Sequence, residues 1–390
     1  MGAFIGMGLG CGKGRHAAEN WGLILILLSC SLALPGPSTA QVAAAEFSDI
    51  VAKASAARDA HDVPKAIDLY QQALKLNSRW PDGWWYLGSM EYGNGSYEAS
   101  RDALSHYLDL TPNAPAALAM RGLCEFETAD YAQSLKDIQH ALAVGAANQP
   151  RNEEILRYHE SLLLTRTGNF EDALRSYGFF AHDPDPNPEL LLAIGMAGLR
   201  VPLLPRELKA DQQPMYINAG KAAFDFMKGD KDAARAEFQH FFEQFPTAAN
   251  AHYLYGYLLY PTDVDAGSAE FKRELEVAPT NATAEAMLAW ILFLQNRPSD
   301  ALPYAEHAVT HDPELPSGQL VLGRALTETG NARAGLEHLT RALARQPDNL
   351  EIHLALARAY SETGRKEDAR RERLLCLEMT KNDAILLPHQ

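Results

Sequence analysis

Small residues recur at a nearly constant interval within apolar segments of helical periodicity. The interval is about 34 residues over most of the chain. Each small residue stands where a first helix would pass close to its neighbour, and a second apolar segment follows after a polar turn. The recurring small residues are Ala54, Gly88, Gly122, Ser161, Ala222, Gly256, Ala289, Gly323 and Ala357. This pattern predicts tandem pairs of helices.

Glycine and proline mark the predicted turns. Gly168-Asn169, Gly229-Asp230 and Gly330-Asn331 follow first helices, where glycine can supply the positive φ that ends a helix. A proline cannot continue the second helix and turns the chain into the next pair. The prolines in that place are Pro112, Pro246, Pro279, Pro313 and Pro347.

The copy that begins at Pro81 resembles the tetratricopeptide repeat. Trp84, Leu87-Gly88 and Tyr92 match the first helix of that motif. Departures elsewhere are Ser100, Ser134, Gly267 and Gly335 in places where the motif prefers alanine, and Arg373 where it prefers an aromatic residue. Nine units are in register: 47–80, 81–114, 115–148, 154–187, 215–248, 249–281, 282–315, 316–349 and 350–383. The resemblance implies an all-α fold, a right-handed α-solenoid of tandem helix-turn-helix repeats.

Six prolines interrupt the repeats between residues 182 and 214. We interpret residues 188–214 as a short helix and a stiff connector. It would separate an N-terminal array of about four repeats at 41–187 from a C-terminal array of about five at 215–383, with a tail at 384–390. The alternative is a degenerate repeat that packs normally. A smaller irregularity spans Gly145 to Asn152.

Residues 1–40 have the layout of a secretory signal peptide. Lys13 and Arg15 precede an apolar run from Trp21 to Leu34, and a small-residue cleavage site ends at Ala40. The run has about 14 residues, fewer than the roughly 20 that cross a bilayer. We therefore expect cleavage, a periplasmic or secreted protein, and no membrane insertion after cleavage.

Retention of the N-terminal apolar segment as a membrane anchor is the alternative for localisation. Leu27-Leu28-Ser29-Cys30 is also similar to the lipidation motif of bacterial lipoproteins, although the bulky Leu28 occupies a place that is usually small. Lipidation at Cys30 is therefore the less favoured route to a membrane.

Composition excludes several classes of function. The 390 residues are 47% hydrophobic and 22% charged, which predicts a folded chain. The net charge of −15, with no run of basic residues, excludes a nucleic-acid footprint. Cys124 and Cys376 are too far apart in the array for a disulfide. No phosphate-binding or catalytic motif occurs, so we expect no enzyme and no cofactor.

Two sequence features could suggest a metal site, and both have plainer interpretations. His182, Asp183 and Asp185 stand among prolines without a glycine-turned loop, which favours a polar connector. His307 and His311 stand four residues apart on one helical face without an acidic third ligand in sequence, which favours exposed histidines. The prediction is that the protein binds no metal.

Members of this family bind ligands on the concave face, which the first helices line. Aromatic residues concentrate there in the second array, and Tyr253, Tyr257 and Tyr260 are spaced for one helical face. These aromatic residues either line a ligand groove or belong to a core that packs under the connector at 188–214. Arg324 and Arg358 hold equivalent places one repeat apart, and ion pairs with Glu328 and Glu362 are the plainer interpretation of both. The other candidate residues are Trp85, Tyr92, Phe126, Tyr158, Tyr216, Phe226, Trp290 and Phe293.

The sequence favours a non-catalytic protein-protein interaction scaffold that binds a peptide or protein segment outside the cytoplasm. The alternative is a structural spacer or assembly subunit of a cell-envelope complex without a dedicated peptide groove.

Overall fold

The computed structural model describes residues 39–148 and 150–386. Over these ranges the chain forms nineteen α-helices, three short 3-10 helices and no strand. None of the helices in these ranges contains an apolar stretch of sufficient length to span a lipid bilayer. The predicted signal sequence lies outside these ranges except for Thr39 and Ala40, and so does Cys30. The predicted tail is described only to Leu386.

The chain divides into two compact units, the first of which ends at Val144. Its helices pack in successive pairs. The pairs are α1 (Thr39–Asp59) with α2 (Val63–Leu76), α3 (Pro81–Gly93) with α4 (Tyr97–Leu110), and α5 (Pro115–Glu127) with α6 (Tyr131–Ala143).

The second unit begins at Gly145 and contains six such pairs and one additional helix, α9 (Pro188–Gly198). The pairs are α7 (Pro150–Arg166) with α8 (Phe170–Tyr177), α10 (Gln213–Met227) with α11 (Lys231–Gln244), α12 (Ala251–Leu259) with α13 (Val264–Val277), α14 (Ala282–Leu294) with α15 (Pro298–His311), α16 (Pro316–Glu328) with α17 (Ala332–Arg345), and α18 (Leu350–Glu362) with α19 (Lys366–Leu386).

The small residues of the first helices allow the two helices of a pair to approach closely. A Cβ atom at Gly88 would lie 2.8 Å from Leu104 Cγ, and one at Gly323 would lie 2.6 Å from Leu339 Cγ. Such distances are shorter than carbon atoms tolerate. Glycine at these places is therefore a packing requirement.

The serines and glycines that replace alanine in the second helices have their own packing roles. The Ser100 hydroxyl donates to the Gly88 carbonyl at 2.8 Å, and the Ser134 hydroxyl donates to the Gly122 carbonyl at 2.7 Å. A Cβ atom at Gly335 would lie 2.5 Å from the Thr327 hydroxyl oxygen. These departures from the motif strengthen or tighten the contact between paired helices.

The glycine turns behave as the sequence predicts. Gly168, Gly229 and Gly330 have φ values of 82°, 85° and 92°. Since side chains disfavour this conformation, glycine ends these first helices without strain.

Helix α9 is packed into the second unit by direct backbone contact with α10. A Cβ atom at Gly195 would lie 1.8 Å from the Tyr216 carbonyl oxygen, and one at Gly220 would lie 1.8 Å from the Leu191 carbonyl oxygen. The compact units divide at Val144 and Gly145, within the smaller irregularity of the sequence, and residues 188–214 lie within the second unit. The connector belongs to the core because glycine lets two helix backbones touch.

Candidate protein-binding surface

Three first helices of the second unit, α14, α16 and α18, contribute the open arginine cluster, defined as Trp290, Phe293, Arg324 and Glu351. The Arg324 guanidinium carbon lies 4.0 Å from the Phe293 ring centre and 4.9 Å from the Trp290 ring centre. Arg324 Nη1 donates to Glu351 Oε2 at 2.9 Å. Burial lowers the pKa of Arg324, and the Glu351 carboxylate opposes that effect. Two aromatic rings and one carboxylate thus hold the guanidinium at the surface.

A pocket of about 170 Å³ lies beside this cluster. Leu354 and Ala355 supply apolar lining, and Leu354 is 45% exposed. Arg358 and Glu328 form an ion pair at its edge, with Arg358 Nε 2.5 Å from Glu328 Oε1. The pocket thus combines one exposed leucine with charged side chains at its edge.

The ion pairs of Arg324 and Arg358 link successive repeats. Arg358 on α18 reaches back to Glu328 on α16, and Arg324 on α16 reaches forward to Glu351 on α18. The sequence predicts ion pairs of the two arginines with Glu328 and Glu362. In the structure Glu328 pairs with Arg358, and Arg324 pairs with Glu351 instead. The reason is that neighbouring first helices lie side by side and bring charges from different repeats together.

The enclosed arginine cluster, defined as Phe170, Glu171, Arg200 and Tyr253, has the same chemistry in a different setting. The Arg200 guanidinium carbon lies 4.8 Å from the Phe170 ring centre and 5.2 Å from the Tyr253 ring centre. Arg200 forms an ion pair with Glu171, and the Tyr253 hydroxyl donates to Glu171 Oε1 at 2.7 Å. The Tyr253 residue is only 3% exposed. This cluster joins α8, the end of α9 and α12.

Electrostatics in the enclosed cluster favour the charged carboxylate. Burial raises the pKa of Glu171, but the Arg200 guanidinium and the Tyr253 hydroxyl more than offset burial, so the pKa lies below its ordinary value. Burial beside Glu171 raises the pKa of Tyr253. Glu171 therefore stays ionised and Tyr253 stays neutral near pH 7.

Arg200 occupies an unusual backbone position. Its N–H donates to the Ala197 carbonyl at 3.1 Å, and the Val201 N–H donates to the Met196 carbonyl at 2.9 Å, which closes the end of α9. This closure needs a positive φ, and Arg200 has 61° where glycine is usual. The conformation costs roughly 1 kcal/mol in a residue with a side chain. The contacts of the guanidinium offset this cost.

The three tyrosines on and directly after α12, Tyr253, Tyr257 and Tyr260, lie mostly in the hydrophobic core. Tyr253 is buried, and Tyr257 and Tyr260 are half-buried against the group that contains Phe271 and Leu288. Ring centres are 6.4 Å apart for Tyr253 and Tyr257 and 5.9 Å apart for Tyr257 and Tyr260. Tyr253 is therefore not part of an open groove, because α8 and Arg200 cover it.

In the first unit the predicted residues have different environments. Phe126 is 5% exposed, so it belongs to the core and not to a free surface. Trp85 and Tyr92 are half-buried, with ring centres 5.7 Å from Tyr107 and 5.7 Å from Tyr97, respectively. Burial raises the pKa of Tyr92 to about 12.

The remaining aromatic candidates lie around the irregular segment of the second unit. Tyr216 packs against Leu192 and Met196 of α9. Tyr158 is half-buried, with its ring centre 6.4 Å from that of Phe180, and Phe226 is half-buried on α10. The structure does not bring these residues into the open arginine cluster.

Sequence reasoning missed Glu351, Leu354 and Arg200. Glu351, Leu354 and Arg358 lie about one turn apart along α18, which is a detectable signal for one surface. Glu351 and Leu354 are not aromatic, so the aromatic pattern of the sequence does not include them. No sequence signal marks Arg200, because its partners come from helices that are distant in the chain.

His307 and His311 both approach Glu285 of the neighbouring helix α14. The Nδ1 atoms lie 3.5 Å and 2.8 Å from its carboxylate oxygens. Over residues 39–148 and 150–386, no group of three metal-ligating side chains has a geometry that could hold a metal ion. Cys124 and Cys376 are both buried free thiols.

Two family models of the tetratricopeptide repeat match the chain, one at residues 51–115 in the first unit and the other at residues 326–372 in the second. Both units of the chain therefore contain tetratricopeptide repeats. Its repeated helix pairs form the architecture of a protein-protein interaction scaffold.

Several solved structures are similar to the chain at low sequence identity. A crystal structure of MamA is 16% identical, with 45% of this chain and 97% of that chain covered and a TM-score of 0.36. PilW, a type IV pilus biogenesis factor, is 22% identical, with 44% and 79% covered and a TM-score of 0.38. Yeast Tom70 is 15% identical, with 87% and 77% covered and a TM-score of 0.34. No curated protein matches the chain.

Proposed function

We propose that this tetratricopeptide-repeat protein is a non-catalytic scaffold outside the cytoplasm that binds a peptide or protein segment on the open arginine cluster and its adjoining pocket. The observation that carries the proposal is Leu354, which is 45% exposed between Glu351 and Arg358. A peptide could bury this leucine while it contacts the aromatic rings and the charged rim. Residues 1–40 support export of the chain.

The binding test compares two matched double variants. Leu354→Ser with Arg358→Ala removes an exposed leucine and an arginine from the proposed surface. Leu76→Ser with Arg79→Ala removes an equally exposed leucine and an exposed arginine from the first unit. A partner identified by crosslinking in the extracytoplasmic fraction would then be purified, and its affinity for each variant measured by calorimetry.

We expect the first variant to lose at least about tenfold in affinity, or about 1.4 kcal/mol, and the second to bind as the unaltered protein does. Equal affinity of both variants would refute this surface. Export is tested separately by fractionation of a tagged chain with and without residues 1–40, and cytoplasmic retention of both would refute export.

A spacer in an envelope assembly is the second candidate, and α19 favours it. Leu374, Leu375 and Leu377 of this last helix are 50%, 37% and 56% exposed. Under this function, Leu374→Ser with Leu377→Ser would prevent assembly, whereas the Leu354 and Arg358 variant would not. The opposite result would favour the peptide surface.

A further inference from the structure

An acidic cleft of about 490 Å³ lies in the second unit, where α7, the 3-10 helix Gly178–His182 and α9 meet. It shares no residue with the open arginine cluster. The residues that line it are Glu154, Tyr158, Phe180, His182, Asp183, Pro184, Asn187, Glu189 and Leu190.

Three carboxylates of this cleft have no basic partner among the residues that the structure describes. Glu154, Asp183 and Glu189 line it, and no lysine or arginine of the described chain does. None of the ion pairs formed within the described ranges includes these carboxylates. Asp183 Oδ1 accepts the Asp185 backbone N–H at 3.0 Å, which fixes the direction of its carboxylate. The cleft therefore carries an uncompensated negative charge.

The aromatic side of the cleft contains the hydroxyl group of Tyr158. The Tyr158 and Phe180 rings meet edge to face at 90°. The Tyr158 hydroxyl is buried and forms no hydrogen bond within the described part of the chain. Burial raises the pKa of Tyr158, and the neighbouring Glu189 carboxylate adds to this effect. The hydroxyl thus lies beside a carboxylate of the cleft and stays protonated.

These features fit a cation with an apolar stem. Carboxylates bind ammonium and guanidinium groups through charge-assisted hydrogen bonds, and aromatic rings attract the same groups. A metal ion fits less well, because no group of three ligating side chains in the described ranges has metal-binding geometry.

We propose that the acidic cleft binds the positively charged side chain of a lysine or arginine in a peptide or protein partner. The net charge of −15 would also attract a basic partner over a longer range. The cleft would be a second site of the scaffold, and it does not depend on the open arginine cluster.

The test uses the purified protein and a fluorescent acetylated pentapeptide with one central arginine between alanines. The control peptide carries citrulline, which has nearly the shape of arginine without its charge. One variant combines Glu154→Gln, Asp183→Asn and Glu189→Gln. The matched variant combines Glu243→Gln, Glu276→Gln and Glu306→Gln, which are exposed carboxylates of the same unit outside the cleft.

We expect the cleft variant to bind the arginine peptide at least about tenfold more weakly and the matched variant to bind it nearly as the unaltered protein does. The citrulline peptide should bind poorly to all three proteins. Equal weakening by both variants would show attraction by net charge alone and overturn the proposal, as would undiminished binding by the cleft variant. Circular dichroism would confirm that the variants remain folded.

Tyr158→Phe provides a finer test. This variant should fold at least as stably, because the hydroxyl has no hydrogen-bond partner among the described residues, and should bind the arginine peptide nearly as the unaltered protein does, because the hydroxyl is buried. A loss of affinity as large as that of the cleft variant would overturn the assignment of binding to the carboxylates. The Leu354 and Arg358 variant should bind the arginine peptide normally, which separates this site from the proposed peptide surface.

Discussion

The two arginine clusters of the second unit share one chemistry and differ in enclosure. In each, an arginine lies over two aromatic rings and pairs with a glutamate. Arg200 ties α8 to α12 and is 15% exposed beside a buried Tyr253. Arg324 is 20% exposed, but its glutamate partner is 48% exposed and an open pocket adjoins it. The enclosed cluster therefore acts as a structural contact between helices, whereas the open cluster remains a candidate binding surface because solvent reaches its ion pair.

Helix α9 creates this difference. It ends at the residues that place Arg200 over Tyr253, and Asn250 Nδ2 donates to the Leu199 carbonyl at 3.2 Å. The later repeats have no such insertion, so their aromatic residues keep an open side. An aromatic stripe in a repeat protein thus indicates a groove only where nothing else in the chain covers it.

The largest expected effect comes from breaking the contact that positions α9. Gly195→Ala would place a methyl group 1.8 Å from the Tyr216 carbonyl oxygen. The atoms nearest to this methyl group are backbone atoms of Tyr216 and Gly220 on α10, so the clash can be relieved only if α9 and α10 move apart. We expect the free energy of unfolding to fall by about 3 kcal/mol or more. Urea denaturation measures this loss.

Gly318→Ala is the matched control for that substitution. Its Cβ atom would lie 3.5 Å from the nearest atom, an ordinary contact, in helix α16. It should stabilise the protein by about 0.5 kcal/mol, since alanine favours helix. Similar losses for both variants would contradict the backbone-contact argument.

Arginine removal compares the two clusters directly. Arg200→Ala leaves Glu171 and Tyr253 without their cation. We expect the free energy of unfolding to fall by about 2 kcal/mol, which is less than for a fully buried ion pair because Glu171 is partly exposed. Arg324→Ala should cost about 1 kcal/mol or less, as surface pairs do. Equal urea midpoints would mean that enclosure does not distinguish the clusters.

The smallest expected effect is a dependence on acid. The folded pKa of Glu171 lies below its ordinary value of 4.5, so its contribution to stability is complete above that pH and is lost as pH falls through the folded pKa. The difference in the free energy of unfolding between the unaltered protein and Glu171→Gln should therefore shrink between pH 7 and pH 3. A constant difference would contradict the coupling to Arg200.

The repeats could be predicted because each depends on local residues. Gly88 and Gly323 are small where helices meet, and Gly168, Gly229 and Gly330 end first helices by their own conformational freedom. The candidate surface was predicted less completely. Trp290, Phe293, Arg324 and Arg358 lie on or beside it, whereas Leu354 and Glu351 were missed and Tyr253 and Phe126 are buried.

The sequence by itself determined that the chain is built from paired helices, because periodicity, small residues and turn residues act within each repeat. The tertiary structure alone decided which aromatic residues stay accessible. Tyr253 looks like a groove residue in the sequence, but it is buried because Arg200 and Glu171, from other helices, close over it. Accessibility depends on contacts between distant segments, and a local pattern does not specify those contacts.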